Sequence, residues 1–437
     1  GELKTKNMDM QGTEPLQKVD YRYNIRGWLS SINDPDNLSD DNDLFAMKLY
    51  YYSYATQQDQ YNGNISGVKW AHNGYQVKTA DYSYDKINRL VATNYTGYGN
   101  TDSYKSSYTY DRNGNIETLQ RYNESGGLID NLDYDYSGNQ LTKVHDLAVN
   151  TNGFSDGPTN SSSVNEYTYD ENGNLDKDDN KYLSEIRYNL LNLPEKVNNS
   201  QLEVMYYVYD ATGRKLEKYS FDNGATTKEK YIGEFVYNKN NEPDYVITSQ
   251  GKIQINGTTH RYDHYLADHL GNTRVVFTRD NNSAEIIQAN DYYPFGMRLN
   301  QAPLVETQTN DYLYNGKELQ EDLGLGWYDY GARFYDPALG RWNVPDPKAE
   351  VNRRWSPYRY AYDNPIRFID PDGMLEDWYV DELNGDLLYD EDEHSEEVVF
   401  EDHEGDRTFT RLGDNEMFGE KAIEGTSFMQ ISGESSN

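Results

Sequence analysis

Residues 108–116 read Tyr-Thr-Tyr-Asp-Arg-Asn-Gly-Asn-Ile, and this stretch decides the fold. Its two tyrosines are two positions apart, so on an extended strand they point to the same face. The pair Asn113 and Gly114 supplies the positive φ that a tight hairpin turn requires. Ile116 then begins the return strand. The stretch therefore predicts a β-hairpin.

The same unit recurs through the first half of the chain. Clear copies begin at Tyr82, Tyr108, Tyr134, Tyr167 and Tyr207, and looser ones at Tyr21 and Arg187. One hairpin cannot bury its own face, so neighbouring copies must stack. Copies separated by roughly 20 to 40 residues predict a long meandering sheet that curls. Periodicity alone leaves a sandwich or a propeller with Tyr-rich strands as the alternative.

The composition favours a thin-walled, repetitive β structure. The 437 residues include 43 Tyr against 12 Phe and 8 Met, and they suffice for two or three ordinary domains or one large repeat array. Only 36% of residues are apolar and the mean hydropathy is −0.99, which is poor for a thick aliphatic core. A disordered chain would be as polar but would lack the aromatic residues.

The charge and the residue types exclude several functions. A net charge of −34 argues against nucleic-acid binding, because neutralising phosphates requires a surplus of Lys and Arg. No run is long enough for membrane insertion. Cysteine is absent, which excludes disulfides, thiolate catalysis and Cys-type zinc sites. The chain opens with Gly-Glu-Leu and without a signal peptide, which we interpret as part of a longer polypeptide.

Segments downstream of the repeats make a family resemblance specific. They are residues 268–274 (DHLGNTR), 292–297 (YYPFGM), 326–337 (GWYDYGARFYDP), 358–366 (YRYAYDNPI) and 370–374 (DPDGM). With the Tyr-Asp units, they resemble the Rhs family, whose YD repeats and repeat-associated core are shared with the C subunits of Tc insecticidal toxins and with teneurins. The resemblance covers about residues 15–374. It implies an all-β fold, in which YD-repeat β-hairpins form a long spiralling sheet and a hollow shell, closed by an Rhs core.

We divide the chain into a shell wall (1–299), an Rhs core (300–374) and an acidic variable segment (375–437). This last segment holds 20 acidic and three basic residues, half of the net charge. In the family this position holds a variable cargo, often a toxin, so the resemblance implies that the segment is the protein's own cargo. Its sequence predicts a hairpin around Asn384 and a solvated acidic run over residues 390–397.

Two Asp-Pro motifs carry the candidate catalytic residues. The resemblance implies that Asp346 and Asp370 form an intramolecular aspartyl protease that cuts the bond between Met374 and Leu375. Two carboxylates held together away from water cannot both ionise, so one keeps a proton and acts as an acid while the other activates water. We expect Arg341 to be a supporting cation.

The first motif departs from the family pattern at Ala349, where Gly is usual, and Met374 stands before the cut in place of Leu. Ala tolerates positive φ less well than Gly, so we expect the first loop to differ in shape. The structural alternative is that Asp-Pro pairs are ordinary turn formers. Asp336 begins a third such pair, which we assign to structure alone.

No cofactor or metal is expected. His260, His264 and His269 lie close in sequence, but spacings of four and five place them on different faces of a strand. Residues 170–180 are rich in Asp and Asn, but they fail the calcium-loop pattern at its Glu position. We interpret both as structural, with a metal site as the alternative.

The sequence thus predicts a secreted or bacterial cell-surface shell that cleaves itself and frees its C-terminal segment. The shell residues are too few to enclose a large cavity, so we expect a missing N-terminal part or a second YD-type chain to complete it. An open sheet would otherwise expose its edges. The alternatives are a non-catalytic cell-surface shell for adhesion or partner binding, as in teneurins, and a carbohydrate-binding wall.

Overall fold

The computed structural model describes residues 3–11, 14–39, 42–52, 60–97, 102–148, 153–157, 165–222, 224–299, 304–374, 377–378, 398–403 and 406–411. These residues are predominantly β-strand, and they contain no α-helix. No helix in them could cross a membrane. The chain divides into two compact units, Gly1–Leu387 and Leu388–Asn437.

The first sheet has 11 strands in chain order, each antiparallel to its neighbour. Its strands are β1 (Thr5–Gln11), β2 (Glu14–Tyr23), β3 (Leu29–Ile32), β4 (Phe45–Tyr50), β5 (Gly67–His72), β6 (Lys78–Tyr84), β7 (Leu90–Thr96), β8 (Ser106–Tyr110), β9 (Ile116–Tyr122), β10 (Leu128–Ser137) and β11 (Gln140–Asp146). This is the meander that stacked hairpins predict.

The second sheet continues the pattern with 14 antiparallel strands in chain order. Its strands are β12 (Tyr167–Tyr169), β13 (Leu175–Asp178), β14 (Leu183–Tyr188), β15 (Pro194–Asn199), β16 (Val204–Tyr209), β17 (Lys215–Asp222), β18 (Ala225–Ile232), β19 (Phe235–Tyr237), β20 (Pro243–Thr248), β21 (Gly251–Asn256), β22 (Thr259–Ala267), β23 (Thr273–Asp280), β24 (Ser283–Ala289) and β25 (Val305–Glu306). The prediction of an all-β fold built from repeated hairpins is confirmed.

The remaining strands are short. Four of them form a sheet in the predicted core, and two further pairs follow. They are β26 (Glu318–Gln320), β27 (Trp327–Asp329), β28 (Phe334–Asp336) and β29 (Arg341–Trp342), then β30 (Phe368–Ile369) with β31 (Asp377–Trp378), and β32 (Val398–His403) with β33 (Asp406–Arg411). Short 3-10 turns lie at Tyr314–Gly316, Asp322–Gly324 and Ala361–Asp363. The hairpin predicted around Asn384 and the acidic run 390–397 lie outside the described residues.

The turn of the repeat is built around its aspartate. Asp111 Oδ1 accepts the backbone N–H of Asn113 and of Asn115, both at 2.8 Å. Gly114 has a φ of 83°, and the strand register shifts just before the turn. The tight turn predicted at Asn113 and Gly114 is therefore present, in a form that contains a glycine bulge. The aspartate is needed because its carboxylate satisfies two N–H groups that the bulge leaves unpaired.

Successive repeats are joined through their second tyrosine. The hydroxyl of Tyr110 donates to the carbonyl of Leu90 at 2.6 Å, and that of Tyr136 donates to the carbonyl of Ile116 at 2.8 Å. Asn115 Nδ2 also donates to the side-chain oxygen of Asn139 in the next turn, at 3.0 Å. Each repeat thus satisfies polar groups of its neighbour, which explains why tyrosine outnumbers phenylalanine.

The core packs against the wall through hydroxyl and backbone hydrogen bonds. Tyr335 OH donates to the carbonyl of Phe295 at 2.8 Å, and Tyr358 OH donates to that of Gly173 at 2.7 Å. The backbone N–H of Ser356 donates to the carbonyl of a repeat turn. The rings inside the core are in mutual contact; they are Tyr314, Tyr328, Tyr330, Tyr335, Trp342 and Tyr360. This aromatic layer is the rigid base on which the candidate site stands.

Candidate functional site

The two predicted aspartates lie together in the core. Asp346 follows strand β29 and Asp370 follows strand β30. Both accept a hydrogen bond from the same nitrogen, Nη2 of Arg333, at 3.0 Å from Asp346 Oδ2 and 2.7 Å from Asp370 Oδ2. We call Asp346 and Asp370 the carboxylate pair. The tertiary structure therefore brings the two Asp-Pro motifs to one point.

Arg333 is held from several sides. Its side chain is 0% exposed, and its guanidinium stacks on Trp342 with Cζ 4.2 Å from the ring centroid. Its Nη1 donates to the carbonyl of Pro357 at 3.2 Å, and its Nε donates to that of Gly373 at 2.6 Å. A planar guanidinium with five donors can reach two carboxylates and two carbonyls at once, which a lysine could not do.

The carboxylate pair occupies unequal environments. The Asp370 side chain is 0% exposed and that of Asp346 is 9% exposed. Burial raises the pKa of both carboxyl groups, and Arg333 opposes the rise in each case. Asp346 additionally raises the pKa of Asp370 by charge repulsion. A pair with raised pKa values is suited to holding one proton between two carboxyl groups.

The backbone before the predicted cut folds onto the second aspartate. Asp370 Oδ1 accepts the N–H of Gly373 at 2.7 Å and of Met374 at 3.0 Å. The chain reverses between Ile369 and Asp377, because β31 pairs antiparallel with β30. The bond between Met374 and Leu375 therefore follows directly on a turn held by Asp370. Leu375 itself lies outside the described residues.

The two motif loops differ in the backbone conformation that they need. Gly373 has a φ of 79°, and a Cβ there would lie 3.0 Å from the backbone nitrogen of Arg333. Ala349 is not among the residues with positive φ, so alanine is accommodated without strain in the first loop. Asp346 Oδ1 still accepts the N–H of Lys348 at 2.7 Å.

Arg341, which we expected to support the pair, lies elsewhere. Its Nη2 donates to the carbonyl of Asn139 at 2.9 Å, and its Cζ lies 5.2 and 5.1 Å from the rings of Tyr136 and Tyr358. It joins the core to the wall, and Arg333 takes the place beside the carboxylate pair. The available signal for Arg333 was a lone cation within the aromatic run at residues 326–337, where burial of a charge requires a partner.

The histidines and the third Asp-Pro motif have separate surroundings. His264 Nε2 lies 3.8 Å from Asp9, and His269 Nε2 lies 2.9 Å from the carbonyl of Ile366. Asp336 accepts from the indole of Trp327 at 3.2 Å. Among the residues that the structure describes, no group of three His, Asp or Glu side chains could hold a metal ion.

The fold and the site define an all-β repeat protein whose core contains a buried pair of carboxylates bridged by arginine. No protein-family model matches the chain. Toxin subunit YenC1 of Yersinia entomophaga is 23% identical over 325 residues, 69% of this chain and 30% of that protein. Toxin subunit YenC2 of the same organism is 38% identical over 96 residues, 21% of this chain and 10% of that protein.

Further similarity extends to an insect protein and to solved toxin structures. Salivary gland surface protein 1 of Aedes aegypti is 31% identical over 182 residues, 41% of this chain and 5% of that protein. The crystal structure of TcdB2-TccC3-Cdc42 has a TM-score of 0.55 and 17% identity over 86% of this chain and 20% of that chain. The structure of TcdB2-TccC3 without the hypervariable C-terminal region has a TM-score of 0.52. The chain spans at most 30% of these relatives, and it shares its fold with the toxin complexes.

Proposed function

We propose that this chain is part of an Rhs-type encapsulating shell that cleaves itself after its core and thereby frees its C-terminal segment. The observation that carries the proposal is the single Arg333 nitrogen that binds both Asp346 and Asp370. The pair lies beside the backbone that leads to Met374. Similarity to the YenC toxin subunits supports the shell as part of a toxin complex.

The chemistry is a hydrolysis that needs only water and the carboxylate pair. The ionised carboxylate takes a proton from water while the oxygen adds to the carbonyl carbon of Met374. The protonated carboxyl group donates its proton to the carbonyl oxygen. The carboxyl group that took the proton from water then donates it to the nitrogen of Leu375 as the C–N bond breaks, and the other carboxylate takes a proton from the tetrahedral diol, which restores the pair. The products are a carboxylate at Met374 and an amine at Leu375.

Arg333 contributes to this step through its positive charge and through the main-chain carbonyl that it holds in place. Its positive charge keeps two buried acidic groups close, which their mutual repulsion would otherwise oppose. Its Nε fixes the Gly373 carbonyl one residue before the bond that breaks. Holding the reacting peptide within a prearranged site removes entropy from the barrier.

The proposal includes a partner and a location. Strands β1 and β25 are the outer strands of the two described sheets, whereas β11 and β12 lie side by side, with the N–H of Leu141 donating to the hydroxyl of Tyr169. Unpaired sheet edges favour association with further chain, so we propose that a second YD-type chain or additional N-terminal sequence completes the shell. The similar crystal structures contain TcdB2 together with TccC3, which supports a partner chain. Similarity to toxin subunits favours a secreted or bacterial cell-surface protein.

A second candidate is a non-catalytic surface shell for adhesion or partner binding. Its support is the 31% identity to Salivary gland surface protein 1. The two candidates differ in one respect that can be measured directly, which is whether the peptide bond after Met374 breaks.

The test is the intact mass of the denatured chain for the wild type and for Asp370→Asn. We expect the wild type to yield a fragment that begins at Leu375, with the two fragments together heavier than the intact chain by one water. Asp370→Asn should remain whole. The matched control is Glu350→Gln, which removes an exposed carboxylate from the segment after Asp346 and should still be cut. A wild-type chain that remains whole would refute the protease and favour the surface shell.

A further inference from the structure

The residues before the predicted cut are held by hydrogen bonds that the core donates to three consecutive main-chain carbonyl groups. We call residues 370–374 the cleavage loop. Lys317 Nζ donates to the carbonyl of Pro371 at 2.5 Å, and the N–H of Ala332 donates to that of Asp372 at 3.0 Å. Arg333 Nε donates to the third carbonyl, that of Gly373. The core thus holds the main chain of the loop at three successive residues.

Lys317 stands on a rigid turn. Its own carbonyl accepts the N–H of Leu313 at 2.9 Å, and its N–H donates to the carbonyl of Tyr314 at 2.9 Å. Asn315, inside the turn, accepts the hydroxyl of Tyr330 at 2.6 Å. The Lys317 ammonium lies 5.3 Å from the centroid of the same Tyr330 ring. The core therefore fixes the backbone of Lys317 and places the Tyr330 ring beside its ammonium group.

The hydrogen bond from Lys317 to Pro371 has a physical reason. Proline has no N–H, so its carbonyl is the only polar main-chain group by which the loop can be held at this position. A charged donor makes a stronger hydrogen bond to a carbonyl than a neutral one. Because the contact is to the main chain, it restrains the path of the loop whatever side chains the loop carries.

We propose that Lys317 is a positioning residue for the self-cleavage, and this inference rests on the proposed function. It fixes the start of the cleavage loop, while Arg333 fixes its end next to the carboxylate pair. Lys317 holds the loop through the carbonyl of Pro371, which takes no part in the proton transfers of the proposed reaction. Loss of this hydrogen bond should therefore slow cleavage without moving the pH range over which cleavage occurs.

The test follows newly synthesised full-length chain in a cell-free system and measures the cut fraction with time at several pH values. We expect Lys317→Met to be cut about 10-fold or more slowly, since a charge-assisted hydrogen bond is lost and the loop is misplaced. Lys317→Arg retains a cationic donor and should recover most of the rate. Lys239→Met, which changes an exposed lysine on a wall turn, should be cut at the wild-type rate.

A second measurement separates the role of Lys317 in holding the loop from the protease activity itself. The Asp346→Asn chain keeps Asp370, whose Oδ1 accepts the N–H groups of Gly373 and Met374 in the wild type. We expect Lys317→Met to speed hydrogen exchange at those amides in this background. Unchanged exchange together with an unchanged cleavage rate would overturn the role of Lys317 alone. A wild-type chain that is never cut would instead overturn the proposed function, and exchange would still report whether Lys317 orders the loop.

Discussion

Arg333 and Asp370 form an ion pair of 2.7 Å in which neither side chain is exposed to solvent. Taking two charges out of water is costly, and their attraction repays the cost only when further hydrogen bonds complete the site. Here the guanidinium also binds Asp346 and two main-chain carbonyls. One buried cation therefore supplies hydrogen bonds to four acceptors in the core.

We expect Arg333→Gln to lower the free energy of unfolding by about 3–5 kcal/mol, because it leaves two buried carboxyl groups without a counter-charge. Burial already raises the pKa of both groups, and the variant raises them further. Burying a protonated carboxyl group costs less free energy than burying an ionised one, so the loss of stability should be larger at pH 8 than at pH 5. Urea unfolding at the two pH values measures it. Arg353→Gln removes an exposed arginine and should change stability by less than about 0.5 kcal/mol; equal losses in both variants would contradict the prediction.

Asp178 should make the wall less stable as pH rises. Its pKa is raised to about 7 from 3.8, first by burial, while Lys181 opposes the rise and Asp336 adds to it. Between about pH 4 and 7 the folded chain binds a proton that the unfolded chain has released, so this contribution to stability falls with rising pH. Asp178→Asn removes the titration.

Relative to the wild type, the Asp178→Asn variant should therefore gain stability as pH rises from about 4 to about 7, by up to about 1.4 kcal/mol per pH unit, and the gain should level off at higher pH. Urea unfolding of both chains across this range gives the difference, and other titrating groups cancel in the comparison. A difference that does not vary with pH would show that Asp178 is ionised throughout.

Gly114 and Gly138 both have positive φ, so alanine substitutions at the two positions separate backbone strain from side-chain packing. A Cβ on Gly114 (φ 83°) would lie 2.7 Å from Asp363 Oδ2 and 2.9 Å from the ring of Trp355, whereas one on Gly138 (φ 65°) meets nothing within 4 Å. Gly138→Ala should cost about 1 kcal/mol of strain alone. Gly114→Ala should cost at least about 1 kcal/mol more, because it pushes the core away from the repeat turn. Thermal unfolding of the two variants checks the order, and equal midpoints would be inconsistent with contact between core and turn.

The repeat aspartate should matter as an acceptor more than as a charge. Asp111→Ala leaves the N–H groups of Asn113 and Asn115 without their acceptor, and should lower the free energy of unfolding by about 1–3 kcal/mol. Asp111→Asn keeps an acceptor oxygen and should lose less than half of that amount. If urea unfolding gave the same loss for both variants, the negative charge would be the stabilising feature.

Much of the fold was predictable because the repeat is local. The tyrosines, the aspartate and the glycine of residues 108–116 lie within one hairpin, and each determines its own geometry through strand alternation and turn conformation. The Asn113-Gly114 pair predicted a tight turn but left open the choice between a two-residue turn and a bulged one. The acceptor role of Asp111 decided it.

The sequence by itself determined the stacked hairpins and, through the family resemblance, the positions of Asp346 and Asp370. Only the tertiary structure showed that Arg333 lies between the two aspartates and that Arg341 contacts the wall. Both arginines lie in aromatic surroundings and carry the same charge, so local sequence cannot rank them. Which one meets the carboxylates depends on how strands far apart in the chain pack, because a buried charge is stable only where the completed fold supplies its partners.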